Sequence, residues 1–177
     1  EFSGKQIWLP PSGFIAAIYA ETDINYATWF SPAGLNRGGI ASVIQAERKL
    51  TQNDRDVLYN ANVNPLATFP GSGVVAWGQK TLQKRSTALD RVSVRRLLIN
   101  LKRYLTQVGG TLLFEQNTTA LRNSFLAKAN PYLESVVQRQ GLYAFQVVMD
   151  ESNNTADVID RNQLVGQIRI QPTKTAE

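Results

Sequence analysis

The 177-residue chain contains no cysteine and no histidine. Without cysteine there is no disulfide, no thiol nucleophile and no zinc–thiolate site. Without histidine the commonest general base and metal ligand is missing, so Ser-His-Asp and Cys-His catalysis cannot be assembled within this chain. Long apolar runs are also missing. No window approaches the roughly 18 uncharged apolar residues of a membrane-crossing helix, and no membrane insertion is expected. The N-terminus lacks a basic start followed by an apolar block, so no signal peptide is read there. Glu1-Phe2 reads as a cloning remnant, with no initiating Met.

What is present describes a folded domain. Apolar residues make up 43% of the chain and include three tryptophans, enough to bury a core, and the length suits one domain. The net charge of +5 is uneven. Lys80, Lys84, Arg85, Arg91, Arg95, Arg96, Lys102 and Arg103 face only Asp90 across residues 80–103. Such a stretch can meet phosphates or an acidic protein, or be the wet face of an amphipathic helix. Close acid pairs include Asp54 with Asp56 and Asp150 with Glu151. Both lie in polar surroundings that give no reason for a shifted pKa, so paired-carboxylate catalysis is not expected.

The stretch FPGSGVVAWGQKTL, residues 69–82, imitates a phosphate-binding loop. Gly73 and Gly78 have the right separation, but Gln79 intrudes before Lys80 and Thr81. A phosphate cradle needs exposed N–H groups and then a helix. Val74, Val75, Ala76 and Trp77 read instead as a short buried strand between a turn at Gly71 and Gly73 and another at Gly78, with Trp77 as its anchor. Neither nucleotide nor any other cofactor is expected, nor a metal.

Residues 9–20 read as a helix capped by Ser12. Residues 28–34 form a loop, and residues 38–50 fit either a strand around Ile40–Ile44 or a short helix. Thr51 with Asp54 three residues later resembles a capping arrangement ahead of a helix ending near Asn60. Residues 89–108 form the clearest helix, with Val94, Leu97, Leu98, Leu101, Leu105 and Val108 at three- and four-residue steps, stopped by Gly109-Gly110. TLLF, residues 111–114, reads as a strand. Residues 118–140 read as a helix that Pro131 must kink or split. Residues 142–149 read as a strand. Along residues 164–171, Leu164, Gly166, Ile168 and Ile170 alternate with polar or exposed positions, as in an edge or antiparallel strand. The whole is α+β, a mixed β-sheet packed with α-helices.

Several segments, in order, resemble the sheath subunits of contractile phage tails and related injection machines. They are PPSG at 10–13, TD at 22–23, SPAG at 31–34, LYNANVNP at 58–65, FPGSG at 69–73, WGQKTL at 77–82, VSVRRLL at 92–98, FEQN at 114–117 and IRIQPTKTAE at 168–177. The sequence departs from the family where Gln79-Lys80 stand for the usual Ala-Arg, which puts bidentate pairing at that position in doubt, and where Gln116 stands for Pro. Family members continue past the final Ala-Glu pair into another strand, so the chain looks like the C-terminal core of a larger subunit.

The resemblance implies a tail-sheath C-terminal-domain-like fold, with residues 1–36 the end of a preceding segment and residues 37–177 the core domain. It implies a structural, non-enzymatic role in a virion tail assembled in the host cytoplasm. The partners would be further copies in stacked six-membered rings, an inner tube protein, and baseplate and terminator proteins, with no nucleic acid. By the same analogy Arg122 and Lys128 would face the acidic tube, and the strand bearing Leu164, Gly166, Ile168 and Ile170 would join a neighbouring subunit. Arg95 and Arg96 adjoin a buried helix face and suit ion pairing with Glu115 or Asp90. The competing reading is a nucleic-acid-binding module using residues 80–103, and a third is a small phosphoryl-binding enzyme.

Overall fold

The computed structural model describes residues 4–176; Glu1-Phe2 and Glu177 lie outside the described residues. The chain divides into two compact units, residues 1–93 and 94–177. The boundary expected at 36/37 falls inside the first.

In the first unit, α1 spans Ser12–Asn25. Pro11, not Ser12, holds the N-cap position, with φ −71° and no side-chain cap bond. The ring presets a helical φ, so the turn starts without a hydroxyl. Helix α2, Gln52–Asn60, opens with a complete capping box: Thr51 accepts from the Asp54 N–H, and the Asp54 carboxylate accepts from Thr51 N at 2.9 Å. Strands β1, Leu66–Phe69, and β2, Gly73–Ala76, form an antiparallel hairpin in which Leu66 faces Ala76 and Phe69 faces Gly73. The sequence reading had missed β1. Residues 38–50 are neither strand nor helix. They make one bridge, Gly39 to Val75, on the other side of β2, and then turn away. Ile18, Ile40, Val74 and Ala76 form the core beneath Phe14, Ile15, Tyr19 and Leu66.

Helix α3, Val92–Gly110, begins as the first unit ends and carries most of its length into the second. It includes both glycines and stops just after them. TLLF is a turn, not a strand: Thr111 N and Leu112 N bond back to Val108 O and Gly109 O. Helix α4, Thr119–Gln138, is capped by Thr118 and runs unbroken through Pro131. Strand β3, Leu142–Val148, a single-turn helix α5, Ala156–Asp160, and strand β4, Gln167–Pro172, complete the chain. β3 and β4 are antiparallel, with Val147 facing Ile168 and Phe145 facing Ile170. The core gathers Val108, Leu112, Phe125, Ala129 and Met149, against which Leu164 and Ile168 pack.

Candidate assembly interface

The glycine-rich stretch is a hairpin corner. Gly71 and Gly73 have φ of +80° and +68°, a left-handed backbone that glycine adopts without a Cβ clash. Ser72 N donates to Phe69 O across the Pro70-Gly71 turn. Gly78 is needed for a different reason: a Cβ there would meet Asn64 Oδ1 at 2.8 Å and its Cα at 3.1 Å. Asn64 uses both ends of its amide on Lys80, accepting from Lys80 N at 2.8 Å and donating to Lys80 O at 2.9 Å. Lys80 donates from Nζ to Tyr59 O at 2.7 Å and sits 3.8 Å over the Tyr59 ring. The lysine that would have met a phosphate therefore ties the exit of β2 to α2. Trp77 is not a buried anchor: it is about one-third exposed and leans on Phe69, ring to ring at 4.5 Å.

In the second unit, β4 has one strand partner. Among the described residues no second strand pairs with it, so one row of its backbone N–H and C=O groups is left over. Of the four residues expected along it, Ile168 and Ile170 lie in the strand, half-buried, while Leu164 and Gly166 precede it. Leu164 and Ile168 pack on this unit's own core. What the strand offers outward is its backbone edge, not its apolar side chains.

Two asparagines tie down the residues that lead into β4. Asn154 is 2% exposed. Its amide donates to Val165 O and Asp150 O, and its oxygen accepts from Val165 N at 2.8 Å, so it pairs with Val165 as a neighbouring strand would. Asn117 donates to Gln163 O at 3.0 Å. The sequence places Asn117 at the start of a helix and Asn154 in a polar loop, and gives neither a backbone partner. The available signal was that Asn117 and Thr118 immediately precede a helix, and that polar loops beside an edge strand must satisfy its backbone.

Arg122 and Lys128 do not share a face. Lys128 is exposed, whereas Arg122 is 6% exposed and lies against its own unit. Its Nη2 donates to Thr119 Oγ1 at 3.1 Å and lies 3.7 Å from Glu151. The six-residue separation turns the helix by roughly 120° away from a common stripe. Arg95 is exposed and Arg96 partly so, while Asp90 pairs with its neighbour Arg91 at 3.3 Å. Arg95 and Lys102, and likewise Arg96 and Arg103, are seven residues apart and stack along α3.

One aspartate in each acid pair, Asp54 and Asp150, is shifted, contrary to expectation. Hydrogen bonds from the Thr51 hydroxyl and N–H hold Asp54 below its ordinary value, and those from Ser152 do the same for Asp150. The shift favours the ionised form, the opposite of what a general acid needs. Among the described residues no cluster of acids could hold a metal ion, and no helix is long and apolar enough to cross a membrane.

Comparison with known proteins gives consistent matches. The model of the phage tail sheath protein central domain matches residues 3–82, and that of the phage tail sheath C-terminal domain matches residues 84–177. The tail sheath protein of Vibrio phage KVP40 is 39% identical over 175 residues, covering 99% of this chain and 26% of that protein. The tail sheath protein of Enterobacteria phage T4 is 39% identical over 168 residues, covering 95% of this chain and 26% of that protein. The chain thus spans about a quarter of the length of these relatives. The fold matches a chain of the six-fold symmetrised anti-feeding prophage baseplate at a TM-score of 0.87 and 24% identity, over 97% of this chain and 49% of that one. It matches the contracted sheath complex of an extracellular contractile injection system, PVC, at 0.86 and 23%, over 96% of this chain and 49% of that one.

Proposed function

The chain belongs to the phage tail sheath family, whose domain models match residues 3–82 and 84–177, and from that membership we propose that it is part of a contractile sheath subunit. Copies assemble as stacked six-membered rings around an inner tube in the virion tail, and contraction drives the tube through a target envelope. The extended cylinder is then metastable, its contracted packing lower in free energy. The near end-to-end match of the two sheath models carries this reading.

The open edge of β4 supports it physically. A strand held from one side by β3, and positioned by Asn154 and Asn117, can accept a strand from a neighbour. Backbone pairing of that kind survives rigid-body movement of the units it links. Lys128, exposed on α4, would meet an acidic tube surface. Arg122 would reach one only after release from Thr119 and Glu151. Baseplate and terminator proteins would meet the same units at the ends of the stack.

The test is a chimera in which this chain replaces the matched segment of the T4 tail sheath protein, viewed by electron microscopy. Hollow striated cylinders are expected. A folded chimera that stays monomeric where the parent protein polymerises would overturn the proposal.

A further inference from the structure

Where the chain enters the first unit, its surface is apolar. Ile7, Trp8 and Leu9 are consecutive, and 72%, 66% and 58% exposed. They line a groove of about 290 Å³ with Phe14, Val43 and Ile44, and no charged residue stands in its wall. Single exposed apolar residues are ordinary, but a contiguous uncharged surface marks a contact. Helix α1, which follows, adds a second observation. From Gly13 to Ala20 it carries no charge, yet only Ile18 and Thr22 of its residues are buried within the unit. Ala17, Ala20 and Ile24 are exposed, Ile24 at 82%. At about 100° per residue they lie on the side away from Ile18 and Thr22. A helix apolar on both sides belongs inside a larger body.

We propose that this surface docks the part of the sheath subunit that precedes it in the same polypeptide. The matched region is 26% of the T4 and KVP40 tail sheath proteins and 49% of the anti-feeding prophage chain. Its first part matches the model of a central domain and its second that of a C-terminal domain, so polypeptide of the relatives lies ahead of it. That polypeptide joins the unit through the residues leading into Ile7. A tether of a few residues sets an effective concentration in the millimolar range, so the preceding segment reaches the surface ahead of any separate copy. The face it presents is apolar, because the groove offers no charge to recognise another. The inference rests on family membership, the premise of the sheath reading, and uses neither ring nor tube contacts.

The test compares the 177-residue chain with the same chain grafted in place of the matched segment. The graft is made in both the T4 and the KVP40 tail sheath proteins, so that one misfolded host does not decide the outcome. Each chimera is diluted until it is monomeric, labelled with a photoactivated carbene and digested for mass spectrometry. Labelling of residues 7–9 and of α1 should be about fivefold lower in the monomeric chimera than in the chain alone, as a tethered contact that is mostly closed requires. Ile7→Ser with Trp8→Ser should restore the labelling of α1 in the chimera. The same pair should leave the denaturation midpoint of the 177-residue chain in place, because both side chains are exposed there.

Equal labelling of the chain and the monomeric chimera would overturn the proposal. So would a drop that appears only on polymerisation, which would make a second copy the occupant, or α1 labelling that ignores the double substitution. A chimera that forms cylinders with residues 7–9 still fully labelled sinks this inference alone. One that stays monomeric with those residues protected sinks the assembly reading alone.

Discussion

At Gly38 the backbone leaves no room for a side chain. A Cβ would meet Ala76 O at 2.6 Å and the Gly34 N and O at 2.9 Å, all main-chain atoms that cannot turn aside. Ala76 N also donates to Gly38 O, so the approach is fixed from both directions. Gly38→Ala should destabilise the protein by about 2–4 kcal/mol. Gly13, in the first turn of α1, has nothing near its absent Cβ. Gly13→Ala should stabilise by about 0.5–1 kcal/mol through the entropy of the unfolded chain. Chemical denaturation of the two variants checks both signs, and equal effects would refute the argument from space. Asn154→Ala should cost about 1–3 kcal/mol, because the Val165 N–H and C=O lose their partner together in a part-buried setting. Hydrogen exchange at Val165 should then rise; an unchanged rate would mean that the strand edge is held elsewhere. None of the three roles was legible in the sequence: a glycine or an asparagine in a loop does not announce which distant backbone it touches.

Elements whose signals are local were read well, and those that depend on distant partners were not. The capping box at Thr51 and Asp54, the apolar stripe of α3 and the alternation around Ile168 and Ile170 are carried within a few residues, and each element formed. β1 was missed because LATF has no alternation of its own; it is a strand because β2 lies beside it. TLLF failed in the reverse way: strand-like composition lost to a turn closed on the end of α3. Pro131 was expected to kink or split α4, yet the helix continues, losing a donor toward Ala127 O. Pro131→Ala should therefore raise stability by about 1–3 kcal/mol, measured by denaturant midpoint; a loss would show that the ring makes compensating contacts. The capping box also predicts a pH dependence. Asp54 has its carboxyl pKa lowered by folding, so its contribution is present above the ordinary value of 3.8 and is lost as pH falls through the lowered one. The fall in melting temperature between about pH 6 and about pH 3 should be smaller in Thr51→Ala than in the parent chain. An identical fall would detach the cap from the titration.

Taken whole, the molecule's net charge of +5 leaves the nucleic-acid reading to be decided by where the cations are held. The basic stretch looked free in the sequence because charge is visible there and partners are not. Lys80 is committed to Tyr59, Arg91 to Asp90, and outside the stretch Arg161 pairs with Asp157 at 2.9 Å and Arg37 donates from Nε to Ser31 O while lying over the Tyr26 and Phe30 rings. Arg122 is buried. Within the stretch Lys84, Arg85, Arg95, Lys102 and Arg103 are exposed, while Arg96 is half-buried. Each phosphate neutralised adds about −0.9 to the slope of log affinity against log salt, so a genuine duplex reader with several contacts is both tight and steeply salt-dependent. Fluorescence anisotropy with duplex DNA should give no saturable binding at about 150 mM salt and only a shallow slope below it. A slope steeper than about −4 with saturation at micromolar protein would make residues 80–103 a nucleic-acid surface. Substituting Arg95 and Lys102 together by glutamine separates the cases further: a residual non-specific signal should vanish, while cylinder formation by the chimera should persist.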